Sequence, residues 1–252
     1  MFTAVTGTVA QQVKIDVIAN NLANLGTTGF KRIRPQFEDL LYEKVRAPAG
    51  EGDSPNGLQF GRGTRVVSTE QIHTPGSLRR TDQSLDLAIE GDGFFSVQQL
   101  NGDIAYTRNG SFRLDVNGNL VTPSGLQLDP PITIPEDALV VTITADGFVN
   151  VTQPGSATPS QVGQIQLSRF VNNSGLEAIG HNLLIESDSS GTPTIGTPGS
   201  DAFGQITQGA LEESNVNIAE ELVNLILAQR AFEANTRVIS TADDMIRFVT
   251  QR

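Results

Sequence analysis

Residues 217–252 read NIAEELVNLILAQRAFEANTRVISTADDMIRFVTQR, and this stretch decides the fold. Within it Ile218, Leu225, Phe232, Ile239 and Ile246 recur every seven residues without a miss, and Leu222, Ala228, Ala231, Val238, Ala242, Met245 and Val249 widen the stripe. A sustained seven-residue apolar repeat is the pattern of a helix that packs lengthwise along another helix. Its start is well marked. Asn217 is a capping residue, and Glu220 and Glu221 place carboxylates in the first turn, where the helix end is positive. Arg247 and Arg252 suit the negative end.

The partner lies at the other end of the chain. From Phe2 to Leu25 there is no Pro, and Phe2, Val5, Val9, Ile15, Ile18, Leu22 and Leu25 recur at helical spacing, broken at Gln12. Gly26 follows as a stop. At 1.5 Å per residue the two helices would run roughly 35 and 50 Å. Each carries one apolar stripe to bury against the other helix, against neighbouring copies, or both. The plainer alternative, two terminal helices docked on a globular core, fits the long seven-residue repeat less well.

Between the helices the sequence turns to β. Asn101-Gly102, Asn109-Gly110 and Asn117-Gly118 recur eight residues apart, with Ser124-Gly125 close behind, and Asn-Gly favours tight hairpin turns. Phe112, Leu114 and Val116 alternate with Arg113 and Asp115 as in a strand with one buried face. Another hairpin is expected at Asp146-Gly147, between Val141 and Ile143 on one side and Val149 and Val151 on the other. A compact antiparallel domain, barrel or sandwich, is expected from about Glu70 to Phe203. Arg46 to Gly63 reads as an extended arm, and Ser187 to Ser200 as a surface loop.

Composition narrows the function. The net charge of -11 argues against nucleic acid, which needs a basic face. Charge is also uneven: 12 of the 17 basic residues lie at or before Arg113, and only Arg169 is basic between Leu114 and Gln229. That asymmetry suits either two solvated faces or a basic part of one copy meeting an acidic part of the next. With no Cys there is no disulfide or thiolate site. The beginning of the chain lacks the pattern of a cleaved signal peptide, and no stretch approaches a membrane span.

Signs of catalysis are poor. The two His, His73 and His181, lie far apart in turn-rich sequence and read as surface or boundary residues. The stretch from Asp115 to Asn119 resembles a calcium loop only briefly, because Leu120 and Leu126 stand where Gly and Glu are needed. Gly61-Arg62-Gly63 and Gly91-Asp92-Gly93 lack the third glycine of a dinucleotide loop. No catalytic, metal or cofactor residue is assigned. The unusual chemistry is amide-rich: Ala19-Asn20-Asn21-Leu22-Ala23-Asn24 ends a helix with three mediocre helix formers. Their amides suit pinning the chain's exit angle and bonding to neighbouring backbone.

With Thr27-Thr28-Gly29-Phe30-Lys31 after it, that stretch resembles the signature of the flagellar rod and hook protein family. Ser214-Asn215-Val216-Asn217-Ile218-Ala219-Glu220-Glu221-Leu222-Val223 and Gln229-Arg230-Ala231-Phe232-Glu233-Ala234-Asn235 are similar to its C-terminal hallmark. Asp92-Gly93-Phe94-Phe95 and Tyr106-Thr107-Arg108-Asn109-Gly110-Ser111-Phe112 resemble its central β domain. The likeness runs nearly end to end. Length sets the longer hook subunit aside, and the arm with Gly57-Leu58-Gln59-Phe60-Gly61-Arg62-Gly63 resembles distal-rod more than proximal-rod members.

The combined expectation is an α+β chain: long terminal helices packed as a coiled-coil-like pair, a central antiparallel β domain and an extended linking arm. The expected divisions are a terminal helical inner domain (1–27 and 217–252), a linking region (28–69 and 204–216) and a β-rich outer domain (70–203). The resemblance implies a structural subunit of the distal rod, with copies of itself, proximal rod proteins, hook-side proteins, the enclosing L/P ring and the flagellar type III export apparatus as partners. It also implies residence in a periplasm-spanning rod and export without cleavage. Subunit contacts are expected at Asn20, Asn21, Leu22, Asn24, Thr28, Gly29, Phe30, Ile218, Leu222, Leu225, Phe232, Ile239 and Ile246. Arm contacts are expected at Arg46, Pro48, Pro55, Leu58, Phe60 and Arg62. The rivals are a secreted enzyme on a β scaffold with oligomerising ends, a binding module such as an adhesin or phage tail component, and the proximal rod protein of the same family.

Overall fold

The terminal stripes become two helices, α1 (Phe2–Ala23) and α2 (Ile218–Thr250), which pack together. The computed structural model describes residues 1–46, 58–155, 158–200 and 202–250. Asn217 caps α2 as its position predicts. Its Oδ1 accepts from the backbone N of Ala219 at 3.0 Å and of Glu220 at 3.4 Å.

The chain divides into two compact units. The first joins Met1–Ala23, Ile33–Ile72 and Asn217–Arg252. Besides the helices it holds two antiparallel ribbons, Ile33–Asp39 with Thr64–Gln71 and Tyr42–Arg46 with Leu58–Gly61. A register shift at Gln36/Phe37 marks a bulge, and Arg34 and Gln36 both reach Glu70, at 3.2 and 2.6 Å. The ends of the expected arm are therefore paired strands, with Arg46 opposite Leu58. Pro48 and Pro55 lie outside the described residues.

The second unit joins Asn24–Arg32 to His73–Val216. Its largest sheet runs Glu177–Gly180, Leu183–Ile185, Ile104–Thr107, Phe94–Gln98, Gln127–Asp129, Leu120–Val121, Arg113–Leu114. Leu167–Arg169 joins Phe94–Gln98 and carries Thr194–Gly196. A three-stranded sheet (Val140–Ile143, Phe148–Thr152, Ser160–Gln164) and two short pairs complete it: Leu87–Glu90 with Gln205–Gln208, and Leu78–Arg80 with Ala210–Glu212. Phe94–Gln98 is buried along most of its length. Phe95 enters the main core with Leu87, Leu120, Leu128 and Ile165, edge-on to Phe112 at 5.2 Å, while Phe94 joins Tyr106 and Phe170 in a second cluster.

The hairpin expected at Asp146-Gly147 forms with Val141 opposite Val151 and Ile143 opposite Val149. Turns also form at Asn101-Gly102, Asn117-Gly118 and Ser124-Gly125, each glycine with positive φ. Asn109-Gly110 differs. Gly110 does not adopt a positive φ, and a Cβ there would stand 1.7 Å from the Leu87 carbonyl oxygen. The glycine permits close backbone approach, so the local turn signal was outweighed by a contact with a distant strand. The alternation from Phe112 to Val116 also fails: the strand is only Arg113–Leu114, and Val116 is 90% exposed. Ser187 to Ser200 is not a free loop, since Thr194–Gly196 pairs with the sheet and Ser190 is buried.

Candidate functional site

Two regions concentrate the chemistry that the fold itself does not consume. The first is the helix pair. Small residues bring α1 and α2 together: Ala4, Ala10 and Ala228 are buried, and a Cβ on Gly7 would stand 2.9 Å from the Asn235 amide nitrogen. Leu225, Phe232 and Ile239 are half-buried, whereas Ile218, Leu222 and Ile246 are exposed. Val223, Ile226, Leu227, Val238, Met245, Phe248 and Val249 of α2, with Phe2 and Val9 of α1, are each more than half exposed. Leaving a large apolar side chain in water forgoes about 1.5–3 kcal/mol relative to burial. A run of them along two helices is the mark of an interaction surface. On the ribbon, Leu58, Phe60 and Arg62 are also exposed, and Arg62 pairs with Glu43 at 2.9 Å.

The second region is the segment after α1. Asn21 is buried, and its amide pairs both ways with the backbone of Ile33, at 2.9 Å as donor and 2.9 Å as acceptor. That closes the chain's exit from the helix on itself. Asn20 is exposed and Leu22 half-buried. Asn24 accepts from Thr27 at its side chain and backbone, 3.2 and 3.1 Å away.

Residues 27–32 then lie on the β unit as a strap. The Thr28 carbonyl accepts from Asn182 Nδ2 at 2.9 Å, and the Gly29 N–H donates to the Glu212 carbonyl at 2.8 Å. Gly29 has φ +71, and a Cβ would meet the Arg108 carbonyl carbon at 2.7 Å. Any other residue would be strained and would strike backbone. Phe30 is half-buried.

Lys31 is the centre of this region. Only 2% exposed, it donates to Glu212 Oε1 at 2.5 Å and to the Thr74 carbonyl at 2.8 Å. Glu212, itself buried, also accepts from Gly76 N at 2.9 Å and lies 3.5 Å from Arg108 Nη1. Arg108 donates to the Ile89 and Gly91 carbonyls at 3.3 and 2.7 Å and stacks over the Phe94 ring at 5.5 Å. Two buried cations thus share one carboxylate. Burial pushes Lys31 and Arg108 below their ordinary values, and Glu212 opposes the shift in both.

His73 stands beside them, edge-on to Phe94 at 5.5 Å, with both ring nitrogens out of solvent. Burial, then the charges of Lys31 and Arg108, lowers it to about 4. His73 is thus a half-buried boundary residue, as expected, but one whose two ring nitrogens are turned inward. His181 is exposed in a left-handed turn. In the sequence Lys31 and Arg108 stand within motifs without a role, His73 reads only as a surface or boundary residue, and Glu212 carries no signal of its own. The available signal was a Lys and an Arg in otherwise small or apolar motifs.

Among the described residues no group of three or more His, Asp or Glu is placed to hold a metal ion, and no helix is long and apolar enough to cross a membrane.

Three family descriptions match along the chain. "Flagella basal body rod protein" covers residues 1–31, "Flagellar hook protein FlgE/F/G D1 domain" residues 88–151, and "Flagellar basal body rod FlgEFG protein C-terminal" residues 207–252. The chain is 51% identical to the flagellar basal-body rod protein FlgG of Buchnera aphidicola subsp. Acyrthosiphon pisum, over 98% of this chain and 96% of that protein. It is 46% identical to the FlgG of Borreliella burgdorferi over 98% and 95% of the two chains. Against the hook protein FlgE of Salmonella typhimurium identity falls to 25%, over 96% and 97%.

Proposed function

The chain belongs to the FlgG family of flagellar basal-body rod proteins and is a structural, non-enzymatic subunit of the distal rod, and from that premise we propose that its copies polymerise into a hollow helical shaft carrying torque from motor to hook. The observation that carries this reading is the apolar surface left uncovered on both terminal helices within one copy. Repeating one heterologous contact generates an open helical tube, and burial at about 25 cal/mol per Å² supplies the drive. Isolated amphipathic helices are marginal in water, so the ends gain order as they dock. Relatives named FlgG do not favour the proximal-rod alternative.

In this reading residues 1–27 and 217–252 form the inner helical domain, packed coiled-coil fashion among copies. Residues 28–69 and 204–216 link, and 70–203 face outward. Asn20, Leu22, Asn24, Thr28 and Phe30 meet neighbours around the helix exit, while Gly29, buried within one copy, holds the strap in place. Ile218, Leu222, Leu225, Phe232, Ile239 and Ile246 meet neighbours along α2. Asn21 helps indirectly by fixing that exit. The arm, with Leu58, Phe60 and Arg62 exposed at its described end, stiffens the shaft against the next copy. Proximal rod proteins, hook-side proteins and the L/P ring are its neighbours in a rod that crosses the periplasm, and the type III apparatus delivers the chain.

Ile226→Asp and Leu227→Asp test it. Both side chains are more than half exposed, so the purified variants should unfold at the parent's denaturant concentration. Rods should nevertheless be missing from basal bodies isolated from cells carrying only the variant. Normal rod numbers in both would overturn the helix-surface reading.

A further inference from the structure

The polypeptide passes between the helical unit and the β unit four times, after residues 23, 32, 72 and 216. Three segments of the β unit lead into those crossings: residues 24–32, the segment from His73, and the segment ending at Val216. Inside the β unit these segments are cross-tied. Lys31 joins the first to the second through the Thr74 carbonyl at 2.8 Å and to the third through Glu212 at 2.5 Å. Asn215 completes the ring. Its Oδ1 accepts from Arg32 N at 2.7 Å, and its Nδ2 donates to the Thr74 carbonyl and hydroxyl at 3.1 and 3.0 Å. Glu212 adds a second tie to the His73 segment through Gly76 N at 2.9 Å.

We propose that Lys31, Thr74, Glu212 and Asn215 form a clamp through which torque enters the β unit, each acting as a positioning residue that makes the chain crossings yield together or not at all. The proposal rests on the rod reading above. Its physical basis is the arrangement of bonds. Force drawn along one crossing would peel an untied segment off the sheet one hydrogen bond at a time. Cross-tied segments share that force among bonds loaded in parallel.

The choice of charged groups fits this role better than a role in stability. A buried ion pair returns little net stability, and apolar side chains of similar volume often do as well. What it adds is strength at one point: hydrogen bonds to charged groups are short and stronger than neutral ones. The Lys31–Glu212 pair, buried on both sides, is not exchanged for solvent under strain.

Lys31→Met is the variant of choice. It keeps the length of the side chain and leaves Arg108 facing Glu212, so the buried carboxylate keeps a counter-charge. In cells carrying only this variant, rod numbers in isolated basal bodies should match the parent and swimming in dilute medium should be unchanged. Swimming should be lost as viscosity, and with it torque, is raised. A response to viscosity identical to the parent's, with normal rods, overturns the clamp. Should Lys31→Met reduce rod number, Asn215→Ala decides the matter, since its bonds lie nearer solvent and their loss leaves no buried charge. Parental swimming at every viscosity with normal rods in that strain overturns the proposal, and load-dependent loss supports it. Deleting the chain separates the two levels: undiminished motility would refute the rod reading itself.

Discussion

Lys31 and Glu212 show what a single residue can hide from a sequence. They are 181 positions apart, and neither local periodicity nor turn chemistry links them. The motif around Gly29 could be quoted, yet its reasons were tertiary: a positive φ and an Arg108 backbone too close for any Cβ. The Asn21 amide was more legible, because three Asn at a helix end demand partners and one lay only 12 residues ahead. His73 yields a prediction at this scale. Its folded value of about 4 lies below the ordinary 6.5. As pH falls below 6.5 the unfolded chain takes up a proton that the folded one refuses until about 4. Stability from this group is therefore complete above the upper value and declines toward the lower one, at up to about 1.4 kcal/mol per pH unit. Denaturant unfolding of the full chain should show this acid limb, and His73→Leu should make it shallower; an unchanged limb would mean the imidazole is not held neutral.

At the scale of elements, α2 was readable from end to end because three independent signals agreed: a seven-residue repeat, a cap and charges matched to the helix ends. The β unit was readable only where pairing is local. The hairpin at Asp146-Gly147 is one such case, whereas Leu87–Glu90 with Gln205–Gln208 joins strands more than a hundred residues apart. Short strands such as Arg113–Leu114 give too little pattern to separate strand from loop. The cap supports a direct test. Asn217→Ala removes the acceptor for two N–H groups of the first turn and should cost about 1 kcal/mol. Hydrogen exchange should accelerate at Ala219 and Glu220 while the middle of α2 keeps its protection; equal rates at all sites would show the cap to be inert.

Over the whole molecule, charge and apolar surface oppose each other. A net charge of -11 keeps separate copies apart, while exposed side chains along both helices favour contact. Between residues 114 and 203 nine carboxylates face the single base Arg169, so the repulsion is concentrated in one part of the chain. Salt shortens the reach of charge to about 10 Å at 0.1 M and leaves apolar burial intact. Sedimentation of the purified chain should therefore shift toward larger species as salt rises, and Ile226→Asp should abolish the shift. Dissociation by salt would instead assign the contact to paired opposite charges.

Both units are stitched from pieces distant along the chain: the helical one needs the two extremities, and the β one needs Glu212 to answer Lys31. Any machine that hands this polypeptide over amino end first therefore dispenses something unfinished almost until the last residue is out. Lys31 stays hydrated and α1 stays single through most of the delivery. Under such a delivery, completion would wait for the later pieces, and their order along the chain would set the timing.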